Sequence, residues 1–347
     1  MNIVTLFNAA QRTVDVLPEP AGRAIFATVG TVTGLLPLKG TKQLRKNQAR
    51  IRPGMNRIEA LRLSAKGMRS YMRYYYEAFR LHRLTNEQIV ARVQESHTEN
   101  VRAHFASGKS ATAALMHVAN WDLAGTWSNL ALAPVHTIAE KLDPPELFEG
   151  FLKFREGLGM KIYPLVKGGG ALHSLAADMA HGTIFTPIIA DRDLSATGIE
   201  VTLCGHAMMV APGPALLAQR TGVPLYPAVV YYERIHGERR KRAGSSWGLH
   251  IYIGDPVYAK TTPASPAHER AADLKRMSQE WLDAITPFLL AHPEDWHMLQ
   301  KVFVADLDPV RLARSRARAK AALAEDHSSE HYEGELPGTP PGGAACA

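Results

Sequence analysis

Residues 111–130 read Ala-Thr-Ala-Ala-Leu-Met-His117-Val-Ala-Asn120-Trp121-Asp122-Leu-Ala-Gly-Thr-Trp-Ser-Asn-Leu. The first six are uncharged and mostly apolar, the texture of a buried strand, and the stretch from Trp121 can carry a helix. His117 and Asp122 therefore fall where a strand hands over to a helix. A carboxylate in the first helical turn can hydrogen-bond such a histidine, fix its tautomer and stabilise the imidazolium formed on proton transfer. The spacing predicts His117 as a general base oriented by Asp122. No nucleophile elbow is assigned to the chain, so the attacking hydroxyl is expected to belong to a substrate.

The same strand-then-helix alternation continues outward. Strands are predicted at 111–116, 135–139, 160–164, 184–189, 224–232 and 248–254, with helices at 122–132, 145–158, 170–180 and 211–221 between most of them. Alternation of this kind predicts an α/β fold with a mostly parallel central sheet flanked by helices. Open sheets of that type place their sites at the carboxyl ends of strands. That singles out Asp191-Arg192-Asp193, which follows the strand at 184–189. Asp191 and Asp193 are expected to bind sugar hydroxyls or assist the histidine. Arg155, on a helix before a Gly-rich turn, is a candidate to grip a phosphate or an oxyanion bidentately. Asn120 and Trp121 flank the His/Asp pair, and Arg220 is a further candidate phosphate ligand. Met208, Met209, Leu216 and Leu217 read equally as acyl-tunnel lining or ordinary core.

Upstream, residues 1–110 read as an N-terminal helical region: 4–17, 23–36, 58–84 with the aromatic run Arg73-Tyr-Tyr-Tyr-Glu77, and 86–105 capped by Thr85. The last turn-and-helix elements are 265–290, a turn at 292–295, and an Ala/Arg helix at 309–325. The expected division is 1–110 as a basic membrane-surface region, 111–305 as the α/β core, 306–325 as a C-terminal helix and 326–347 as a disordered tail.

The charge is lopsided. Residues 1–110 hold 18 Lys and Arg against 7 Asp and Glu, a net of +11, whereas 111–325 balance at 22 against 22. The segment 41–52 concentrates Lys42, Arg45, Lys46, Arg50 and Arg52. Such asymmetry suits a phosphate-bearing partner, and with no nucleic-acid module in the chain an anionic membrane surface is favoured over nucleic acid. The uncharged stretch 24–38 is shorter than the roughly 20 apolar residues of a spanning helix, and no signal peptide is visible. Cys204 and Cys346 are the only cysteines, too few for a disulfide framework. No metal-ligand spacing, Walker loop or dinucleotide fingerprint occurs, so no metal or resident cofactor is expected.

Six collinear segments carry a resemblance: Arg73-Tyr-Tyr-Tyr-Glu-Ala-Phe-Arg-Leu, His117-Val-Ala-Asn-Trp-Asp-Leu-Ala-Gly, the Phe-Arg155-Glu-Gly-Leu-Gly run, Ala190-Asp-Arg-Asp-Leu, Pro212-Gly-Pro-Ala-Leu-Leu-Ala and His292-Pro-Glu-Asp-Trp-His. Together they cover about residues 10–305 and resemble the bacterial lipid A biosynthesis lauroyl/myristoyl acyltransferases, within the lysophospholipid acyltransferase superfamily, and in particular its actinobacterial branch acting on phosphatidylinositol mannosides. The resemblance implies a glycerolipid acyltransferase-like fold and an acyl-CoA-dependent O-acyltransferase. It further implies transfer from acyl-CoA, as co-substrate, to a mannose hydroxyl of a mannosylated phosphatidylinositol. The expected location is peripheral, on the cytoplasmic face of the plasma membrane. Another lipid acceptor (a lysophospholipid or a lipid A-like glycolipid) and a non-catalytic membrane-binding protein remain the alternatives.

Overall fold

The computed structural model describes residues 14, 16–140, 144–165, 170–193, 198–310, 312, 313, 316 and 317. Most of the expected helix at 4–17, most of that at 309–325 and the tail at 326–347 lie outside the described residues, as does Cys346.

Three helices open the described chain: α1 (Glu19–Leu35), α2 (Lys39–Ile51) and α3 (Arg57–Arg80). Asn56 starts α3 through a reciprocal capping box with Glu59, satisfying two donors that the first helical turn leaves unpaired. α1 lies directly on α3 because it carries glycines at the contact. A Cβ at Gly30 would stand 2.6 Å from the Met68 carbonyl, and one at Gly34 2.5 Å from Ala65 Cα. The other face of α1 leaves Ile25, Val29 and Val32 exposed, one stripe at helical spacing, and Leu36 is exposed just beyond the helix end. Among the described residues no single helix is long and apolar enough to cross a membrane; α1 and α2 reach that composition only together, across a 77° bend. Of the basic segment, Lys42, Lys46 and Arg52 are exposed. Arg45 instead holds the carbonyls of Gly34 and Leu36 at the end of α1, and Arg50 pairs with Asp306.

The predicted helix at 86–105 is interrupted. α4 (Asn86–Arg92) ends in β1 (Val93–Ser96), and α5 (Glu99–Ala106) follows. Val93–Ser96 gains a partner strand distant in sequence, so tertiary pairing overrides the local helical pattern, and His97 at φ +55° closes the break.

The core then alternates as expected: β2 (Ala111–Leu115), α6 (Trp121–Ala131), β3 (His136–Glu140), α7 (Pro145–Gly157), β4 (Lys161–Leu165), α8 (Ala171–His181) and β5 (Phe185–Ile189). After β5 comes a hairpin the sequence reading did not place, β6 (Ile199–Leu203) and β7 (His206–Val210). Its two-residue turn, Cys204-Gly205, has φ of +50° and +78°. Twisted hairpins need such left-handed pairs, but cysteine is not the residue that advertises one. The chain continues through α9 (Gly213–Thr221), β8 (Leu225–Arg234), the unforeseen α10 (Gly237–Ala243), β9 (Trp247–Ile253) and α11 (Ala267–Ala291).

The fold is mixed α/β. The central sheet has the order β1-β9-β8-β2-β5. β1/β9, β8/β2 and β2/β5 are parallel, and only β8/β9 is antiparallel. β3 and β4 form a parallel pair that continues the sheet through a bridge between Val135 and Phe185. β2 is buried at all five positions, as a central strand covered on both faces must be.

Candidate active site

His117 lies two residues beyond β2, and Asp191 two residues beyond β5. The strands are parallel and paired Leu115 to Ile189, so the sheet register itself sets these residues side by side. The His117 Nδ1 to Asp191 Oδ1 distance is 2.5 Å, and the His117 backbone N–H donates to Asp191 Oδ2 at 3.0 Å. The Trp296 indole N–H also donates to Oδ2, at 2.9 Å. Burial by itself would raise the Asp191 pKa; His117, the Trp296 donor and the His117 amide outweigh it and hold the carboxyl below its usual range. A carboxylate at Nδ1 fixes the proton there and leaves Nε2 as the basic nitrogen. Asp191 is fully buried, whereas the His117 side chain is 32% exposed, so one partner anchors and the other faces outward.

The loop carrying His117 is clamped by the segment after α11. Ala119 N–H donates to the Asp295 carbonyl, and His297 N–H to that of His117. Ala119 sits at φ +47°, a strained backbone for a residue with a Cβ. The Asp295 carboxylate accepts from Ser70 and from the Tyr232 N–H. Its complete burial pushes its pKa up to about 6.

Asp122 corrects the sequence reading. Its hydrogen bonds go elsewhere: Arg155 Nε donates to Oδ1 at 2.7 Å, and the Tyr74 hydroxyl to Oδ2 at 2.9 Å. The first-turn carboxylate therefore neutralises Arg155, and the partner of the histidine is Asp191. Burial disfavours the charge on Arg155, but Asp122 and Tyr74 more than offset it and raise its pKa. Arg155 is thus held as a cation at a fixed place rather than swinging free.

These groups border one cavity of about 280 Å³. Its polar mouth holds His117, Trp121, Asp122, Arg155 and Arg192, and its floor is the sheet surface of Leu115, Phe185, Pro187, Val230 and Ile251. Ala124, Gly125 and Ser128 on α6 keep the space between helix and sheet open. Trp121 stacks on Tyr74 with centroids 4.0 Å apart and meets His117 edge-on.

The remaining predicted residues are not gathered there. Asn120 is fully buried; it caps α6 by accepting from the Leu123 N–H and donates to Glu77, which leaves no exposed group for a substrate. Asp193 packs against Gly198 and does not line the cavity, and Arg220 is exposed on the last turn of α9. Met208, Met209, Leu216 and Leu217 lie outside the lining too. The string Gly244-Ser245-Ser246-Trp247-Gly248 has the spacing of a nucleophile elbow but leads into β9 rather than from strand to helix, and Ser246 Oγ accepts from Arg234. The sequence reading passed over three cavity-side or supporting groups: Tyr74, Trp296 and Arg192. Arg192 donates to Glu140 at 2.7 Å, and its buried Nε has no partner among the described residues. All three stand in the quoted collinear segments, which was the available signal.

A histidine backed by a buried acid at the edge of an apolar cavity can accept a proton from a hydroxyl placed there. The family model for bacterial lipid A biosynthesis acyltransferases matches residues 1–304, and the chain belongs to that family. The phosphatidylinositol mannoside acyltransferase of Mycobacterium tuberculosis strain H37Rv is 31% identical over 314 residues, covering 90% of this chain and 92% of that protein. The protein of the same name from Mycolicibacterium smegmatis is 29% identical over 311 residues, covering 89% and 93%. Among solved structures, the 1-acyl-sn-glycerophosphate acyltransferase PlsC of Thermotoga maritima matches over 76% of this chain and 97% of that one, at 14% identity and a TM-score of 0.32.

Proposed function

We propose that the chain transfers a long-chain acyl group from acyl-CoA to a mannose hydroxyl of a phosphatidylinositol mannoside. The observation that carries this reading is the His117–Asp191 pair at the polar mouth of an apolar cavity. Nε2 of His117 takes the proton of the acceptor hydroxyl, and Asp191 stabilises the imidazolium. The alkoxide oxygen attacks the thioester carbonyl, and collapse of the tetrahedral adduct expels the CoA thiolate, which receives the proton from His117. The Arg155 cation, fixed by Asp122, stands at the cavity to balance negative charge developing there. Among the described residues no serine, threonine or cysteine is hydrogen-bonded to His117, which favours direct transfer over an acyl-enzyme. The names of the aligned relatives supply the acceptor.

The enzyme meets its lipid as a peripheral protein on the cytoplasmic face of the plasma membrane. The exposed apolar stripe of α1 and the exposed Lys42, Lys46 and Arg52 support this reading, because basic residues beside apolar surface favour anionic lipid. The family description keeps one other acceptor class in view, a lipid A-like glycolipid. Radiolabelled acyl-CoA is supplied with phosphatidylinositol mannoside, a lysophospholipid or a lipid A precursor. Label moving to the mannoside and surviving phospholipase removal of the glycerol-bound chains supports the proposal. Label on either other acceptor alone overturns it.

A further inference from the structure

A second groove, of about 330 Å³, opens beside α1, away from the His117 cavity. Arg23 comes from α1, Arg69, Arg73 and Tyr76 from α3, Arg234 from the end of β8 and Trp247 from the start of β9. Four guanidinium groups around one small depression repel one another unless something neutralises them.

The described acids do so only in part. Arg23 is paired: it donates to Glu19, Glu77 and Ser245, and so frames the groove. Glu233 is bound to Arg239, and Asp295 to Ser70 and the Tyr232 amide. Arg73 has no hydrogen bond or ion pair among the described residues. Its guanidinium instead lies 3.5 Å from the Trp247 ring centre and 4.6 Å from that of Tyr232. Arg234 lies 3.9 Å from the same Trp247 ring, with one long hydrogen bond, 3.4 Å, to Ser246. Rings hold guanidinium planes in place while leaving their edge N–H donors unspent. Arg69 is exposed and reaches the same groove.

We infer that this groove binds a phosphate group, taken from the headgroup of an anionic membrane lipid. Unspent, ring-fixed guanidinium edges suit phosphate oxygens, which accept two parallel N–H bonds from one arginine. The groove volume falls at the small end of ligand sites and admits a phosphate with part of its alcohol. The placement argues for a lipid source. Residues 23–27 of α1 supply one wall, and the exposed stripe of the same helix starts at Ile25. When that stripe enters the interface, the groove sits at headgroup depth. β8 runs parallel to β2, so Arg234 leaves the same edge of the sheet as His117. The chemistry of the groove stands independently of the reaction; only the lipid source rests on the docking reading above.

The test measures binding, so it does not depend on turnover. Co-sedimentation with phosphatidylcholine vesicles containing phosphatidylinositol compares the parent with R69Q/R234Q, two substitutions at exposed positions that the fold tolerates. A loss of about ten-fold or more in affinity is expected, the scale of one charge-assisted hydrogen-bond pair. Soluble glycerophosphoinositol and coenzyme A are then titrated into the parent and the variant. Glycerophosphoinositol should bind the parent, compete with vesicles better than sodium chloride at equal ionic strength, and lose this in the variant. R73K adds a second check, because it keeps the charge and loses the planar stack on Trp247; it should bind as poorly as R69Q/R234Q. Unchanged affinity in R69Q/R234Q overturns the pocket. Binding of coenzyme A but not glycerophosphoinositol, abolished by the same substitutions, overturns the lipid source. If the parent ignores vesicles altogether, the docking reading fails, while the soluble titration still decides the pocket.

Discussion

Two carboxylates near His117 have opposite fates. Asp122 is five positions away along the chain and sits in the first turn of α6, where it neutralises Arg155 and accepts from Tyr74. Asp191 is 74 positions away and holds the histidine. Both are buried. The difference is direction: a side chain in the first turn of a helix projects off the helix wall, whereas residues leaving adjacent parallel strands at matched register leave side by side. Closeness in sequence placed the wrong acid on the imidazole; closeness across the sheet placed the right one.

The division of labour can be broken most sharply at the dyad. His117→Ala should lower turnover by roughly 10²- to 10⁴-fold, the range expected for a general base, and lower the melting temperature as well, because the buried Asp191 carboxylate loses the partner that offsets its burial. Asp191→Asn should approach the same loss. An amide N–H facing Nδ1 favours the tautomer protonated at Nε2, which cannot accept the substrate proton. Steady-state rates with acyl-CoA and acceptor check both, and near-parental turnover in either would remove the dyad from the reaction.

Asp122→Ala tests the other side. It leaves the buried Arg155 cation uncompensated, a change that costs about 3–5 kcal/mol of stability. Denaturant unfolding should show that loss. The protein that remains folded should keep the activity pH profile set by His117 and Asp191. A shifted profile with intact stability would instead return Asp122 to the histidine.

A third buried acid sharpens the comparison. Burial raises the Asp295 pKa to about 6, above its unfolded value of roughly 3.9. A group with a raised folded pKa contributes stability that is complete below pH 4 and lost as pH rises through 6. Asp295→Asn keeps both hydrogen bonds in place, with its oxygen toward the Tyr232 N–H and its amide toward Ser70. It should remove that loss, making the variant more stable than the parent at pH 8 by on the order of 2–3 kcal/mol and indistinguishable near pH 4. Melting curves at the two pH values decide it, and parallel curves would contradict the assignment.

The smallest effect belongs to Trp296→Phe. It keeps an aromatic ring while removing the N–H donated to Asp191 Oδ2, worth about 1.5–3 kcal/mol for a bond to a charged acceptor, together with part of the volume of a fully buried indole. With that donor gone the carboxylate becomes more basic and holds the imidazolium more tightly. The acidic limb of the pH–rate profile should therefore move to higher pH, with a drop in kcat of about ten-fold. A loss of activity without any movement of that limb would make Trp296 a packing residue alone.

Much of the frame was legible in the sequence. Alternating apolar runs and helical stretches located β2, β5, β8 and the helices between them within a residue or two, because strand and helix periodicities are local properties. The same reasoning missed β1, whose four residues continue a helical pattern until β9 offers them partners, and the β6–β7 hairpin, whose turn is built on a cysteine. At the site, His117, Asp122, Arg155 and Asp191 were all picked out by residue type and by their positions at element ends. Their pairing was not, and Tyr74, Trp296 and Arg192 went unassigned. The sequence by itself determined the family, the α/β alternation, the basic imbalance of the first 110 residues and the histidine at the end of a strand. The tertiary structure alone decided which acid that histidine uses, which cations stay unspent and where the cavity runs. Those depend on strand order, register and the packing of α3 and the 292–297 segment against the sheet, contacts between residues more than two hundred positions apart that no local pattern encodes.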